Sequence, residues 1–228
     1  MIRGGTLALA AALALTACGS QTRSTAVTST TQAGPPAPTT SPPKPRPKPK
    51  PRPNPGKLPQ TNRMPSARTR AFHEEMAALW NGVRGDSVHA ALPAFFPEPA
   101  YAQVKAIGDP AGDWSGRLVR DYALGVSAAH ALLGSHPSRA RLLRVVVPSD
   151  YAHWVDPGAC YNRVGYYEVP NSRVVYRQDG EVRSFGIASM ISWRGVWYVI
   201  HLGAIVGPSG VVDDPSSGEG ESTASSTC

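Results

Sequence analysis

The first amphipathic pattern along the chain is helical and begins after Ser66, the expected N-cap. Its apolar positions follow the i, i+4, i+7, i+8, i+11 spacing of one helix face: Phe72, Met76, Leu79, Trp80 and Val83. Shorter helical patterns follow over residues 88–95 and 99–107, and a longer one covers residues 115–134. The first half of the patterned region is therefore predicted to be helical.

After residue 140 the pattern changes to β-branched and alternating segments. Residues 142–147 form a β-branched run, and residues 151–155 form a second short strand. Two-residue turns, Asp179-Gly180 and Arg194-Gly195, then separate three strands, which are predicted over residues 173–178, 181–193 and 196–206. These strands are predicted to form an antiparallel meander.

The two turns also determine the register, with Gln178 opposite Glu181 and Trp193 opposite Val196. Without a bulge, one face is apolar and is expected to be the core face: Val174, Tyr176, Phe185, Ile187, Ile191, Trp193, Tyr198, Ile200 and Leu202. The opposite face is mixed and carries Arg173, Arg177, Val182, Ala188, Met190, Trp197, Val199 and His201. Gly186 is a candidate bulge, which would exchange the two faces beyond it.

Helices followed by an antiparallel meander predict an α+β domain over residues 66–206, with the N-terminal helices packed on a curved sheet. This layout resembles the cystatin-like cone of nuclear-transport-factor-2-like and SnoaL-like proteins. The resemblance is one of layout only, because no catalytic residue of those families falls on a matching motif here. It implies a pocket between the sheet and the helices, where an Asp or a His often serves as the base in cone-fold enzymes.

The net charge of +7 is not spread evenly along the chain. Residues 1–65 carry nine basic and no acidic side chains, residues 66–206 carry fourteen basic and twelve acidic ones, and residues 207–228 carry four acidic and no basic ones. The predicted domain is therefore nearly neutral. A nucleic-acid-binding domain carries a basic face of its own, so this distribution argues against nucleic acid as a partner.

The first seventeen residues have the parts of a bacterial signal peptide. Arg3 supplies the positive end, and residues 7–15 form an apolar run far shorter than the ~20 residues that span a bilayer. The run leads into Leu15-Thr16-Ala17-Cys18, which resembles the lipobox of bacterial lipoproteins. The resemblance implies cleavage before Cys18, lipid such as palmitate on that cysteine, and a place on the outer face of the cell membrane. The alternative is an ordinary secretory signal with an incidental cysteine.

Residues 18–65 are predicted to be a disordered linker, first rich in Ser and Thr and then in Pro, Lys and Arg. Residues 42–55 alternate proline with cations, which favours an extended polyproline II spacer of about 40 Å. One interpretation is a stalk that holds the domain away from the membrane. The other is contact with anionic lipid or wall polymer through five cations, Lys44, Arg46, Lys48, Lys50 and Arg52.

If Cys18 carries lipid, Cys160 and Cys228 remain as an even pair in an oxidising compartment. A disulfide between them would hold the acidic, Ser/Gly-rich tail of residues 207–228 on the domain. The alternative is two free thiols.

The chain contains none of the common catalytic, phosphate-binding or metal-binding motifs. The sequence therefore predicts no catalytic residue, no metal site and no cofactor. The least ordinary group of side chains is Arg173, Trp197 and His201, which share the mixed sheet face and form a candidate pocket for a small anionic or aromatic ligand. Further candidates precede the cysteine at position 160: His153, Trp154 and Asp156. The alternative interpretation is that these candidates are ordinary residues of the sheet and bind no ligand.

Residues 156–162 and 191–203 are similar to segments of uncharacterised actinobacterial lipoproteins. That resemblance implies no activity. The first functional expectation is a lipid-anchored cell-envelope module that binds a ligand or partner without catalysis. The alternatives are a cone-fold enzyme, an isomerase or hydrolase acting on a small substrate, and a partner in the assembly of a membrane machine.

Overall fold

In the computed structural model, the described residues are 54–203, 205–206 and 209–224. Several predictions fall outside the described residues: the signal peptide of residues 1–17, the lipid on Cys18, the disulfide of Cys228 and the contacts of five cations, Lys44, Arg46, Lys48, Lys50 and Arg52. The chain divides into two units, Met1–Pro49 and Lys50–Cys228, and all the residues described below belong to the second.

The α-helices precede the sheet: α1 (Arg70–Gly85), α2 (Val88–Ala91), α3 (Glu98–Val104), α4 (Pro110–Asp113) and α5 (Val119–Ala131). Short 3-10 turns occupy Pro55–Lys57, Leu92–Ala94, Pro137–Arg139, Ser149–Tyr151 and Ala159–Tyr161. A π-helical turn, Trp114–Leu118, joins α4 to α5. Throughout the described chain, no helix is both long enough and apolar enough to cross a membrane.

The first helix confirms the predicted apolar stripe, which is buried along its whole length. Its cap differs from the prediction. Thr69 accepts a hydrogen bond from the Phe72 N–H (3.2 Å), whereas Ser66 accepts from the Arg68 N–H in the turn before the helix. The helix therefore begins at Arg70.

The strands are β1 (Arg141–Val146), β2 (His153–Val155), β3 (Tyr166–Gln178), β4 (Glu181–Trp193), β5 (Val196–His201), β6 (Ile205–Val206), β7 (Ser209–Gly210) and β8 (Asp213–Ser217). The main sheet follows the order β1–β3–β4–β5; β2 also pairs with β3, and β8 also pairs with β4. All of these pairings are antiparallel, and β6 pairs with β7 separately. The domain is therefore α+β, as predicted.

Both predicted hairpin turns are present. Gln178 lies opposite Glu181, and Trp193 lies opposite Val196. The two central residues of each turn have positive φ, 51° and 90° in the first turn and 52° and 79° in the second, as a type I′ turn requires. The β3–β4 pairing keeps one register from end to end, without a bulge at Gly186.

The β4–β5 pairing contains a bulge that the sequence pattern does not predict. Met190 lies opposite Val199, but Ser189 lies opposite His201, so Ile200 is the extra residue. Because side chains alternate between faces along a strand, one extra residue moves His201 to the face that carries Ser189. The prediction that His201 lies on the mixed face is therefore wrong.

Much of the core lies between the predicted apolar face of the sheet and the helices, but Met190, Trp197 and Val199 of the predicted mixed face are also buried in it. The ring of Trp80 on α1 contacts that of Tyr176 on β3, with centroids 5.3 Å apart. Phe96 contacts both Trp193 and Tyr198 in edge-on geometry. These contacts confirm which sheet face the helices cover.

The domain extends beyond residues 66–206 at both ends. On the N-terminal side, Trp193 Nε1 donates to the Pro55 carbonyl (3.0 Å), and the Arg194 N–H donates to Gln60 Oε1 (2.6 Å). On the C-terminal side, β8 pairs with the first half of β4, where β5 does not reach. The part of the predicted linker after residue 53 and the part of the predicted tail in β8 therefore belong to the fold.

Arg173 helps to hold the tail on the sheet, in addition to the β8–β4 pairing and the contact between Arg144 and Glu219. The Arg173 side chain is only 3% exposed. The guanidinium donates to the side chains of Asp214 (2.5 Å) and Ser184 (2.9 Å), and to the backbone carbonyls of Asp214, Glu219 and Glu221 (2.9, 2.9 and 3.2 Å). These five bonds match the five N–H donors of an arginine, so Arg173 serves as an anchor for the tail.

Candidate functional site

The three side chains of the predicted pocket lie in different environments. Arg173 binds the tail, Trp197 is 1% exposed within the core, and His201 lines a cavity. The bulge in β5 separates them, because it turns His201 toward the helices and leaves the other two on the opposite face. The structure therefore does not bring the three together.

The cavity at His201 lies between the end of α3, the π-helical turn and strands β3, β4 and β5. Its volume is about 230 Å³. The polar side chains that line it are Lys105, Arg117, Glu168, Ser189 and His201; the other lining residues are Tyr101, Val104, Leu118, Tyr166, Ile191 and Ile200. A π-helical turn is rare and often occurs at a functional site, and here it supplies Arg117 and Leu118 to the wall.

Glu168 is a buried carboxylate on the sheet side of this cavity, and it is 2% exposed. Its Oε1 accepts a hydrogen bond from the Ser189 hydroxyl (2.8 Å). Its Oε2 lies 3.8 Å from Nε2 of His153, one of the further candidates from the sequence. A buried carboxylate is costly unless it has such partners, and Ser189 and His153 supply them.

Lys105 supplies a positive charge on the helix side of the cavity. Its ammonium donates to the Cys160 carbonyl (2.9 Å) and not to a carboxylate, so its charge is not cancelled by that contact. Burial lowers the pKa of Lys105, and the neighbouring Arg117 guanidinium lowers it further. This ammonium is therefore suited to binding an anionic group.

The loop that carries Cys160 is attached to the end of α3. The Arg163 N–H donates to the Val104 carbonyl (2.8 Å), and the Arg163 side chain donates to the Lys105 carbonyl (2.9 Å). Cys160 is disulfide-bonded. Because the other cysteines lie outside the described residues, the pairing of Cys160 with Cys228 stays a prediction.

Arg117 is held beside the cavity by Asp113, one helical turn earlier. The guanidinium makes a bidentate contact with this carboxylate, at 2.6 and 2.7 Å, and the Tyr101 hydroxyl donates to the same carboxylate at 2.5 Å. The hydrogen bond from Arg117 lowers the pKa of Asp113. Asp113 therefore balances much of the Arg117 charge and fixes the direction of the guanidinium.

His201 provides a neutral donor and acceptor in the same cavity. Burial lowers the pKa of His201 below its ordinary value of 6.5, and the positive charge of Arg117 lowers it further. The imidazole is therefore uncharged at neutral pH. Together, the polar groups can bind an anion at Lys105 and Arg117 and a hydrogen-bond donor at Glu168.

No sequence pattern singles out Lys105, Arg117, Glu168 or Ser189 as site residues. Glu168 offered the clearest signal, since it is an acidic residue in an otherwise apolar and aromatic stretch, but the predicted strand began only at Arg173. Lys105 and Arg117 lie outside any motif. Their role depends on the packing of α3 and the π-helical turn against the sheet.

The chain matches no family model, no curated protein and no solved structure.

Proposed function

We propose that this chain is a lipid-anchored protein of the cell envelope whose domain is a non-catalytic binding module for a small ligand. The observation that carries the binding proposal is the cavity with a buried carboxylate on the sheet side and cations on the helix side. The lipobox-like motif at Cys18 and the proline-rich arm support the location. We also propose that the sheet is curved into a cone-like form, as the layout of the elements suggests.

The size of the cavity limits the ligand. A cavity of about 150 Å³ holds benzene, so the volume of about 230 Å³ suits a compound somewhat larger than one aromatic ring. Apolar side chains such as Leu118 and Ile191 would contact its hydrocarbon part. Lys105 and Arg117 would bind an anionic group, and Glu168 would accept from a hydroxyl or an ammonium group.

Calorimetric titration with small carboxylates tests the proposal. Lactate, alanine, benzoate and 4-hydroxybenzoate are suitable probes. In a Lys105→Met variant, we expect binding of the best probe to weaken about tenfold, because one charge-assisted contact is lost. Lys57→Met is the matched control, since Lys57 is exposed and lies outside the cavity. Equal binding by both variants, or no binding of any probe, would refute the proposal.

The anchor is tested separately. Globomycin, which blocks lipoprotein signal peptidase, or a Cys18→Ala variant should release the protein from membranes or change its mass. Unchanged membrane retention and mass would contradict lipidation at Cys18. Stable attachment needs two or more lipid chains, because one chain holds a protein only marginally.

The arm is a second candidate contact with the envelope. Its five cations, Lys44, Arg46, Lys48, Lys50 and Arg52, would bind anionic lipid headgroups or wall polymer. Sedimentation with vesicles of phosphatidylglycerol and phosphatidylcholine, at low and high salt, tests this with all five changed to Gln. Equal sedimentation of the two proteins would leave only the spacer role.

A cone-fold enzyme, an isomerase or hydrolase acting on a small substrate, remains the second candidate because Glu168 and His201 line one cavity. Glu168 hydrogen-bonds to the alcohol of Ser189 and also lies beside His153, so its two oxygens already have structural partners, which favours the binding module. Turnover of 4-nitrophenyl acetate that is lost in both Glu168→Gln and His201→Asn, but not in Glu181→Gln, would favour the enzyme.

A further inference from the structure

A second and larger cavity of about 640 Å³ lies between α1, the start of α3 and β5, away from the site described above. Three carboxylates and three aromatic rings contribute to its lining: Glu74, Glu75, Glu98, Phe95, Trp114 and Tyr198. No Lys, Arg or His of the described chain lines it. Glu74 already pairs with Arg70 outside the cavity (2.6 Å), so Glu75 and Glu98 give the cavity its acidic character beside the aromatic rings.

Glu75 is the most buried of the three carboxylates. The Tyr198 hydroxyl hydrogen-bonds to it, but its Oε2 is buried and accepts no hydrogen bond from any described residue. Buried polar atoms are rarely left in this state, so the missing partner points to a ligand that donates a hydrogen bond there. Burial, with a smaller contribution from the neighbouring Glu74, raises the pKa of Glu75 to about 8.

The aromatic side chains favour an organic cation as that ligand. Trp114 is held in place because its Nε1 donates to the Phe96 carbonyl (2.8 Å), and its ring lies 5.8 Å from that of Phe95. Aromatic faces attract ammonium and guanidinium groups. A metal ion is less suited, because no three His, Cys, Asp or Glu side chains of the described residues lie close enough to hold one.

We propose that this cavity binds the ammonium or guanidinium group of an organic cation, which donates to Glu75 and lies against Trp114 and Tyr198. The other titratable groups that line the cavity are Glu74 on the same helix, Tyr198 on β5 and Glu98 at the start of α3, and Arg70 lies beyond Glu74 and pairs with it. The three lining groups are neutral or negative in the pH range of the test. An organic cation binds the ionised carboxylate of Glu75 more tightly than the protonated carboxyl group. Binding therefore releases a proton from Glu75, and the affinity for the cation rises from pH 7 to pH 9.

Calorimetry with the full chain tests the proposal with two kinds of probe. Tetramethylammonium and arginine amide represent small free cations, and a synthetic Pro-Arg-Pro-Lys-Pro peptide represents a basic side chain on a polypeptide. We expect at least one probe to bind with proton release, which is measured in buffers of different ionisation enthalpy. Binding only by the peptide would assign the source to a basic polypeptide, and binding by the small probes would assign it to a free cation.

The decisive variant is Glu75→Gln, which keeps the shape of the protonated side chain and removes its charge. We expect about tenfold weaker binding and no proton release. Glu181→Gln, at the exposed β3–β4 turn, is the matched control and should leave both unchanged. Tyr198→Phe, which keeps the ring, provides a second test if Glu75→Gln does not fold. No binding of any probe at millimolar concentration and pH 9, or equal binding with and without the Glu75 charge, would overturn the proposal.

Discussion

A substitution of Arg173 tests directly how the C-terminal tail is held on the sheet. Replacing Arg173 with Met keeps most of the apolar stem of the side chain and removes the guanidinium. The change eliminates five hydrogen bonds, four of which reach residues 214–221 of the tail. We therefore expect the tail to leave the sheet in the Arg173→Met variant before the rest of the domain unfolds.

The expected loss of stability follows from how deeply Arg173 and Asp214 are buried. Breaking a buried ion pair by removing one partner typically costs about 3 to 5 kcal/mol. The Asp214 side chain is 61% exposed and is rehydrated when the tail leaves, so the lower end of that range applies. A loss of about 3 kcal/mol corresponds to a fall in Tm of about 6 to 12 °C for a domain of this size.

Urea denaturation measures the free energy of unfolding, and digestion with the Glu-specific protease Glu-C measures release of the tail. Glu219 and Glu221 are the cleavage sites in the tail, and both of their carbonyls accept from Arg173. Arg177→Met is the matched control, because Arg177 lies on the same strand but is exposed, and we expect a change within about 0.5 kcal/mol. A loss below about 1 kcal/mol in Arg173→Met, with unchanged cleavage after both glutamates, would show that Arg173 is not the anchor.

Three further predictions concern other parts of the chain. The pKa of Glu75 is raised from its ordinary value near 4.5 to about 8, so the folded state holds a proton that the unfolded chain has lost, and the free energy of unfolding falls between these pH values by up to about 1.4 kcal/mol per pH unit. Glu75→Gln should remove this slope in urea titrations at pH 5 and pH 8, and an identical slope would contradict it. Gly82→Ala places a Cβ 2.5 Å from that of Ala91 and should cost about 1 to 3 kcal/mol in urea denaturation, whereas Gly85→Ala, with open space around it, should be neutral or stabilising. Mass spectrometry without reduction should detect a Cys160–Cys228 linked peptide, and two thiols that alkylate on the native protein would exclude that bridge.

The fold was predictable where the deciding information lies within a few residues. The α1 stripe follows from side-chain spacing, and the two hairpin turns follow from glycines that tolerate positive φ. The candidate site was not predictable in this way. It depends on an extra residue at Ile200, which no local signal marks, and on contacts between α3, the π-helical turn and the sheet.

The sequence by itself determined the apolar stripe of α1, the two hairpin turns, the unbroken β3–β4 register and the separation of charge along the chain. Only the tertiary structure decided that Arg173 anchors the tail and that His201 faces the helices. It also decided that Lys105 and Glu168, 63 positions apart, line one cavity. The physical reason is that backbone preference and hydrophobic periodicity act over a few residues, whereas the pairing of buried polar groups is set by whichever distant segments the packed core brings together.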